Sequence, residues 1–234
     1  MLQAFALGAV AQSSLLLSGI VPYFLRIPDR IIGILAGIGA GALVAAVAFD
    51  LVPEALETTE VAFWFFVGAL LFVVADWFIE SRFGGEGGEG NEGGGSPLGV
   101  VLGSVVDGVP ESLIFGIQIA GGVPISTAFL VAVFVSNIPQ ALAPSSELIR
   151  SGWRAGRMIA MWGAVVVACG LASGLGWLGA TNLETVNGAR AAAIAAGGVL
   201  AMLTQSLIPF AYQKGGAAAA LGTVAGFCAS MAQT

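Results

Sequence analysis

Eight apolar stretches take up almost the whole of this chain, at about 2–24, 31–55, 61–80, 98–119, 124–148, 158–180, 188–210 and 215–233, each near the roughly 20 residues that cross a bilayer as a helix. They leave no room for a separate soluble domain in 234 residues. Charged residues make up 9% of the chain and hydrophobic ones 57%, whereas soluble domains carry about a quarter charged residues. The fold class expected is an all-α membrane protein of eight transmembrane helices, 1–234 forming a single transmembrane transporter domain. The first stretch has no basic residue ahead of its apolar run, as a secretory signal would. Ala9, Val10 and Ala11 mimic a cleavage site, but the segment reads as the first span.

The basic residues test that count. With eight spans, Arg26, Arg30, Arg82, Arg150, Arg154, Arg157 and Lys214 all fall on one side, and only Arg190 falls on the other. The positive-inside rule makes the crowded side cytoplasmic and sets both termini outside. An inner, plasma-membrane location is expected. The soluble stretch between spans three and four, 83–97, is a flexible cytoplasmic loop rich in Gly and Glu. Its Glu86, Glu89 and Glu92 could gather cations loosely, although a merely solvated linker explains them as well.

Composition excludes several classes. No histidine is present, so His-dependent metal sites and His-based catalysis are absent. Cys169 and Cys228 both lie in apolar runs and suggest no disulfide framework. There is no basic patch for nucleic acid and no nucleophile motif of the GxSxG kind. The chain is not read as an enzyme, and no resident cofactor is expected.

Two internal repeats organise the spans. Aligning Pro53 with Pro209 also aligns Gly41 with Gly197, Ala45 with Ala201, Leu51 with Leu207 and Ala55 with Ala211. Spans two and seven run in opposite directions, so spans 1–3 and 6–8 read as an inverted repeat around a central pair of spans, four and five, as in many secondary transporters. In that pair, DGVPESL (107–113) matches SNIPQAL (136–142), with Pro110 on Pro139 and Glu111 on Gln140.

Asp107 and Ser136 lie very roughly 15–18 Å into their spans at 1.5 Å per residue, near mid-membrane. Asp107 and Glu111 share a helix face at i, i+4, and Ser136 and Gln140 repeat that spacing, with Asn137 adjacent. Pro110 and Pro139 cannot donate to Val106 and Val135, which frees two carbonyls at the same depth. A carboxylate at mid-bilayer costs about 2.5–3.5 kcal/mol on insertion scales. No Lys or Arg within the spans offsets that cost. A bound cation, protonation or water in a cavity must do so, and a protonated pair hydrogen-bonded between helices is the structural alternative. The candidate metal ligands are Asp107, Glu111, Ser136, Asn137 and Gln140. Asp50 and Glu54 form a second i, i+4 pair near the outer end of span two. They read as a docking place for cations or as a helix end reaching water. Asp76, near the inner end of span three, reads as interfacial.

These motifs resemble the ZIP family of divalent-metal transporters over essentially the full length. DGVPES and SNIPQA stand where that family has HNxPEG and [HQ][ND]xPE-type motifs, and AFDLVPEA in span two is similar to its AFxxLxPEA. The resemblance implies eight spans, outside termini, a variable loop between spans three and four, and a mid-membrane metal site on spans four and five. Its cargo would be a divalent cation such as Zn, Fe, Mn or Mg, carried as substrate. Zinc transport is the family's usual activity. The partners expected are that metal ion and membrane lipid, with a homodimer as one available assembly. Departures are specific. Asp107 stands where the family has its span-four histidine, Gly108 replaces asparagine, Ser136 replaces His or Gln, and Gln140 replaces Glu, while Glu111 and Asn137 match. An oxygen-only set with two acids suits Mg, Mn or Ca better than zinc by ligand softness. Two readings compete with transport of a divalent cation: a degenerate relative acting as a sensor or scaffold, and a transporter of protons or another solute.

Overall fold

The computed structural model describes residues 1–56, 60–83, 97–122, 125–182 and 188–232. The 83–97 loop therefore lies outside the described residues apart from its two end positions. Every regular element among the described residues is helical: α1 (Leu2–Ile20), α2 (Asp29–Ala46), α3 (Val52–Ala55), α4 (Val61–Phe83), α5 (Pro97–Gly121), α6 (Thr127–Arg150), α7 (Ala155–Asn182), α8 (Gly188–Met202), α9 (Ile208–Gly215) and α10 (Ala217–Met231). A 3-10 turn, Val21–Tyr23, ends α1. The π-helical segments Val47–Leu51 and Leu203–Leu207 join α2 to α3 and α8 to α9. The described residues thus form eight helical segments, two of them composite. Seven are long and apolar enough to cross a membrane, and α10 is shorter at 15 residues. The molecule is an all-helical membrane protein. Its outer surface fits lipid: Phe63, Phe66, Leu70 and Leu71 on α4, and Leu171 and Leu175 on α7, are all exposed.

The helix ends follow local chemistry. Ser126 caps α6, its hydroxyl accepting the Phe129 amide at 3.0 Å, which satisfies one of the donors a helix start leaves free. Asp29 opens α2 directly after Pro28, a good place for an acid on the positive end of the helix dipole. Gly216, at φ +57°, separates α9 from α10. That backbone conformation suits glycine, which has no Cβ to clash.

Small residues let the backbones touch. A methyl group at Gly33, Gly37 or Gly41 would collide with the backbone of Gly215, Ala219 or Thr223 respectively, so α2 and α10 run parallel in close contact. Phe49 and Phe227 extend that contact, ring centroids 5.8 Å apart, and α10 accompanies α2 along nearly its whole length. Helices α4 and α8 make a matching parallel pair. Glu60 and Arg190 sit 3.5 Å apart at its start. Further along, a methyl at Gly68 would strike the Ile194 carbonyl, and one at Gly197 the Phe65 carbonyl. Close backbone approach through small residues is the usual way membrane helices pack, since lipid offers no hydrophobic drive between them.

One sequence offset carries Pro53 onto Pro209. The same offset carries the π segment Val47–Leu51 onto Leu203–Leu207, and Gly41 onto Gly197. The partner contacts correspond as well: Gly41 meets Thr223 while Gly197 meets Phe65, and Gly226 meets Ile38 while Gly68 meets Ile194.

Candidate cation site

The regular winding lapses in the composite helices and not in the central pair. Helices α5 and α6 remain continuous through Pro110 and Pro139. The π turns lie just ahead of Pro53 and Pro209. A proline ring crowds the carbonyl four residues back and removes a donor. A wider turn at that point relieves the crowding, and π turns recur at functional sites.

Two adjoining constellations form beside these features. The first is closed. Glu111, 1% exposed, has its Oε2 accepting from Gln12 Nε2 at 3.0 Å. The Gln12 Oε1 in turn accepts from Asn137 Nδ2 at 2.8 Å, and the same Asn137 amide donates to Ser14 Oγ at 3.0 Å. Glu111 Oε1 is buried and has no hydrogen-bond partner among the described residues. Gly108 leaves the space taken by its neighbours on α1 and α7: a Cβ there would lie 2.7 Å from Cys169 Sγ and 3.6 Å from the Gln12 carboxamide.

The second constellation is a cavity of about 170 Å³ lined by Ser104, Asp107, Pro139, Gln140, Ser206 and Phe210, among others. Asp107 is half-buried there, with Ser206 Oγ 3.5 Å from its Oδ2. Ser206 belongs to the second π segment. Its neighbour Gln205 donates from Nε2 to Asp76 on α4. Gln140 Nε2 is buried without a partner among the described residues. A carboxamide can turn to present its oxygen instead. The lining runs from Asp107 toward the end of the bundle that carries Pro97, Arg150 and Gly215. On the opposite side of Glu111 the interior is apolar and buried: Ile114, Val133, and the Phe115 and Phe129 rings with centroids 5.1 Å apart. Beyond them Ser126 Oγ donates to Asp50 Oδ2 at 2.7 Å, joining the first π segment to the start of α6. The Glu54 side chain lies outside the described residues.

The five residues singled out from sequence are thus distributed. Asp107 and Gln140 share the cavity. Glu111 and Asn137 sit behind it, joined through Gln12. Ser136 is elsewhere: its hydroxyl donates to Val133 O of its own helix at 2.9 Å, and its backbone is pressed against Gly39 of α2. Sequence reasoning missed Gln12, Ser14, Gln205 and Ser206; Asp76, read as interfacial, is partly exposed and bonded to Gln205. The signal was present, as Gln12-Ser13-Ser14 and Gln205-Ser206 are short polar runs inside apolar spans. Asp107 and Glu111 have no cationic side chain within ion-pairing distance among the described residues; the ion pairs seen there, Arg190–Glu60 and Lys214–Asp29, lie at helix ends. No group of three His, Cys, Asp or Glu side chains among the described residues is gathered closely enough to hold a metal ion. Asp107 is the carboxylate that lines the cavity, with Gln140, Ser104 and Ser206 as its polar neighbours there. The sequence matches no family model and no curated protein.

Proposed function

We propose that the chain transports a divalent metal cation through a mid-membrane site on α5 and α6, as the resemblance of its motifs to the ZIP family suggests. The observation that carries the reading is the unpartnered Glu111 Oε1. It is a buried acceptor beside Asp107, in a core whose described part offers no cation of its own. A buried carboxylate oxygen without a donor is costly, and a cation passing through the adjoining cavity removes that cost. The cargo binds between Asp107 and Glu111, with the Gln140 carbonyl turned toward it and Ser206 at its edge. Oxygen ligands of this kind favour Mg, Mn or Ca, and admit Zn or Fe.

The architecture in this reading has eight crossings, with spans 1–3 and 6–8 as an inverted repeat. The matched π segments, the matched glycine contacts and the parallel course of α10 beside α2 all support it. Charge asymmetry supports a cytoplasmic location for the end carrying Arg150 and Lys214. The cavity then faces the cytoplasm, while the Phe115–Phe129 layer separates Glu111 from the outside. That is one state of an alternating-access cycle.

The test is uptake of manganese, zinc and magnesium by proteoliposomes containing wild type, Asp107→Asn or Glu111→Gln. Loss of flux in both variants at unchanged melting temperature is the expected result, and wild-type-like flux in Glu111→Gln overturns the assignment. The absence of a third clustered acid among the described residues favours one other reading, a non-transporting relative that binds a cation weakly as a sensor. Wild-type binding without flux would select it.

A further inference from the structure

Gln12 is wholly buried on α1 and is engaged at both ends of its carboxamide. Its orientation is determined by its partners. Asn137 Nδ2, a pure donor, faces the Gln12 oxygen, so the Gln12 NH2 group must face Glu111. The result divides the Glu111 carboxylate: Oε2 is committed to Gln12, and Oε1 is free.

We propose that Gln12 sets the cation selectivity of the site by making Glu111 a one-oxygen ligand. The inference rests on the cation-site reading above and adds a residue on another helix to it. Calcium takes six to eight oxygens at about 2.3–2.6 Å, often with a carboxylate bound through both oxygens, whereas Mg and cations of similar size take an octahedral shell of single oxygens and keep several waters. A Glu111 restricted to Oε1 supplies the second kind of shell and not the first. The second donation of Asn137, to Ser14 Oγ, helps hold the amide that orients Gln12. Gln12 does not touch the cation in this account. It is a positioning residue, and its effect is a change of preference between cations.

The experiment is calorimetric titration of the full chain in detergent with Mn²⁺ and with Ca²⁺, comparing wild type with Gln12→Met. Methionine keeps length and bulk but cannot donate to Glu111. Removing an outer partner of a metal ligand changes affinity by about 10–100-fold, so the preference for Mn²⁺ over Ca²⁺ is expected to fall by about tenfold, mostly through tighter Ca²⁺ binding. Asn137→Leu should move it the same way by less. Should Gln12→Met fail to fold, Gln12→Leu serves instead: it too cannot donate to Glu111, and should also shift the preference toward Ca²⁺. An unchanged Mn²⁺/Ca²⁺ ratio in a folded variant that binds Mn²⁺, with or without an equal loss for both ions, means Gln12 is only a structural support. Failure of the wild type to bind either ion overturns the cation-site reading itself, and this inference with it.

Discussion

Alanine at Gly41 and alanine at Gly197 should destabilise the protein by similar amounts. In each case the new methyl meets a backbone carbonyl of a parallel helix, Thr223 O or Phe65 O. Neither obstacle is a side-chain tip that can swing aside, so the helices must separate. Overpacking of this kind costs about 1–3 kcal/mol. A methyl set against backbone belongs in the upper half of that range, about 2–3 kcal/mol, and alanine regains about 1 kcal/mol over glycine in a helix interior, leaving a net loss of about 1–2 kcal/mol. For a chain of this size that corresponds to a melting temperature lower by about 2–8 °C. Gly163→Ala is the control, because a methyl there meets nothing within 4 Å, and that variant should melt at or slightly above the wild-type temperature. The assay is loss of the monodisperse peak in size-exclusion chromatography after heating in detergent. Indistinguishable melting of Gly41→Ala, Gly197→Ala and Gly163→Ala would refute the close backbone contacts. A large effect at one of the first two alone would refute their equivalence.

Three other outcomes are expected. In a Cys228→Ser background, cysteines at Ser151 and Lys214 should react with a membrane-impermeant maleimide from the same side, and one at Thr181 from the other; any other pattern contradicts eight crossings. Gln140→Glu should tighten Mn²⁺ binding in calorimetry by adding a carboxylate to the cavity that holds Asp107, and unchanged affinity would mean that position 140 does not reach the cation. Ser126→Ala removes both the α6 cap and the donor to Asp50, so a loss of about 1–2 kcal/mol in stability is expected, read as a lower melting temperature; Ser126→Asp, which restores a cap but sets two acids together, should not recover it.

The helical segments were legible because apolar length is a coarse signal that the bilayer enforces residue by residue. The observed boundaries differ from the expected ones by a few residues, as at α6, expected over 124–148 and found at Thr127–Arg150. The site was legible only in part. Spacing of i, i+4 puts Asp107 and Glu111 about 40° apart around the helix, and that separation is enough for one to line the cavity while the other reaches α1. Which helix stands opposite a face is decided by tertiary packing, so Gln12 gave no sign of meeting Glu111 across 99 positions. Ser136 shows the converse. Its polarity suggested a ligand, but Gly39 draws α2 so close that the serine serves as a small residue at a helix contact. The π turns were invisible to a reading that assumes a single helical period.

Each composite helix is out of phase with itself. A π turn is wound to close one residue later than an α turn, so the helix beyond it is rotated relative to one wound uniformly. Deleting one residue from Leu203–Leu207 would let the helix run on as α. The helix beyond would keep its facing, because four residues in α winding cover about the same rotation as five in the π segment. Lys214 would stay beside Asp29, 3.3 Å away in the intact chain, and Gly215 would still present its bare edge to Gly33. A deletion in Val47–Leu51 would likewise spare the short α3 beyond it. The same deletion in the regular winding of α8 would instead turn everything downstream by about 100°. The two segments therefore each hold one spare residue, and its loss would be felt locally, where Ser206 faces Asp107, and not at the membrane surface.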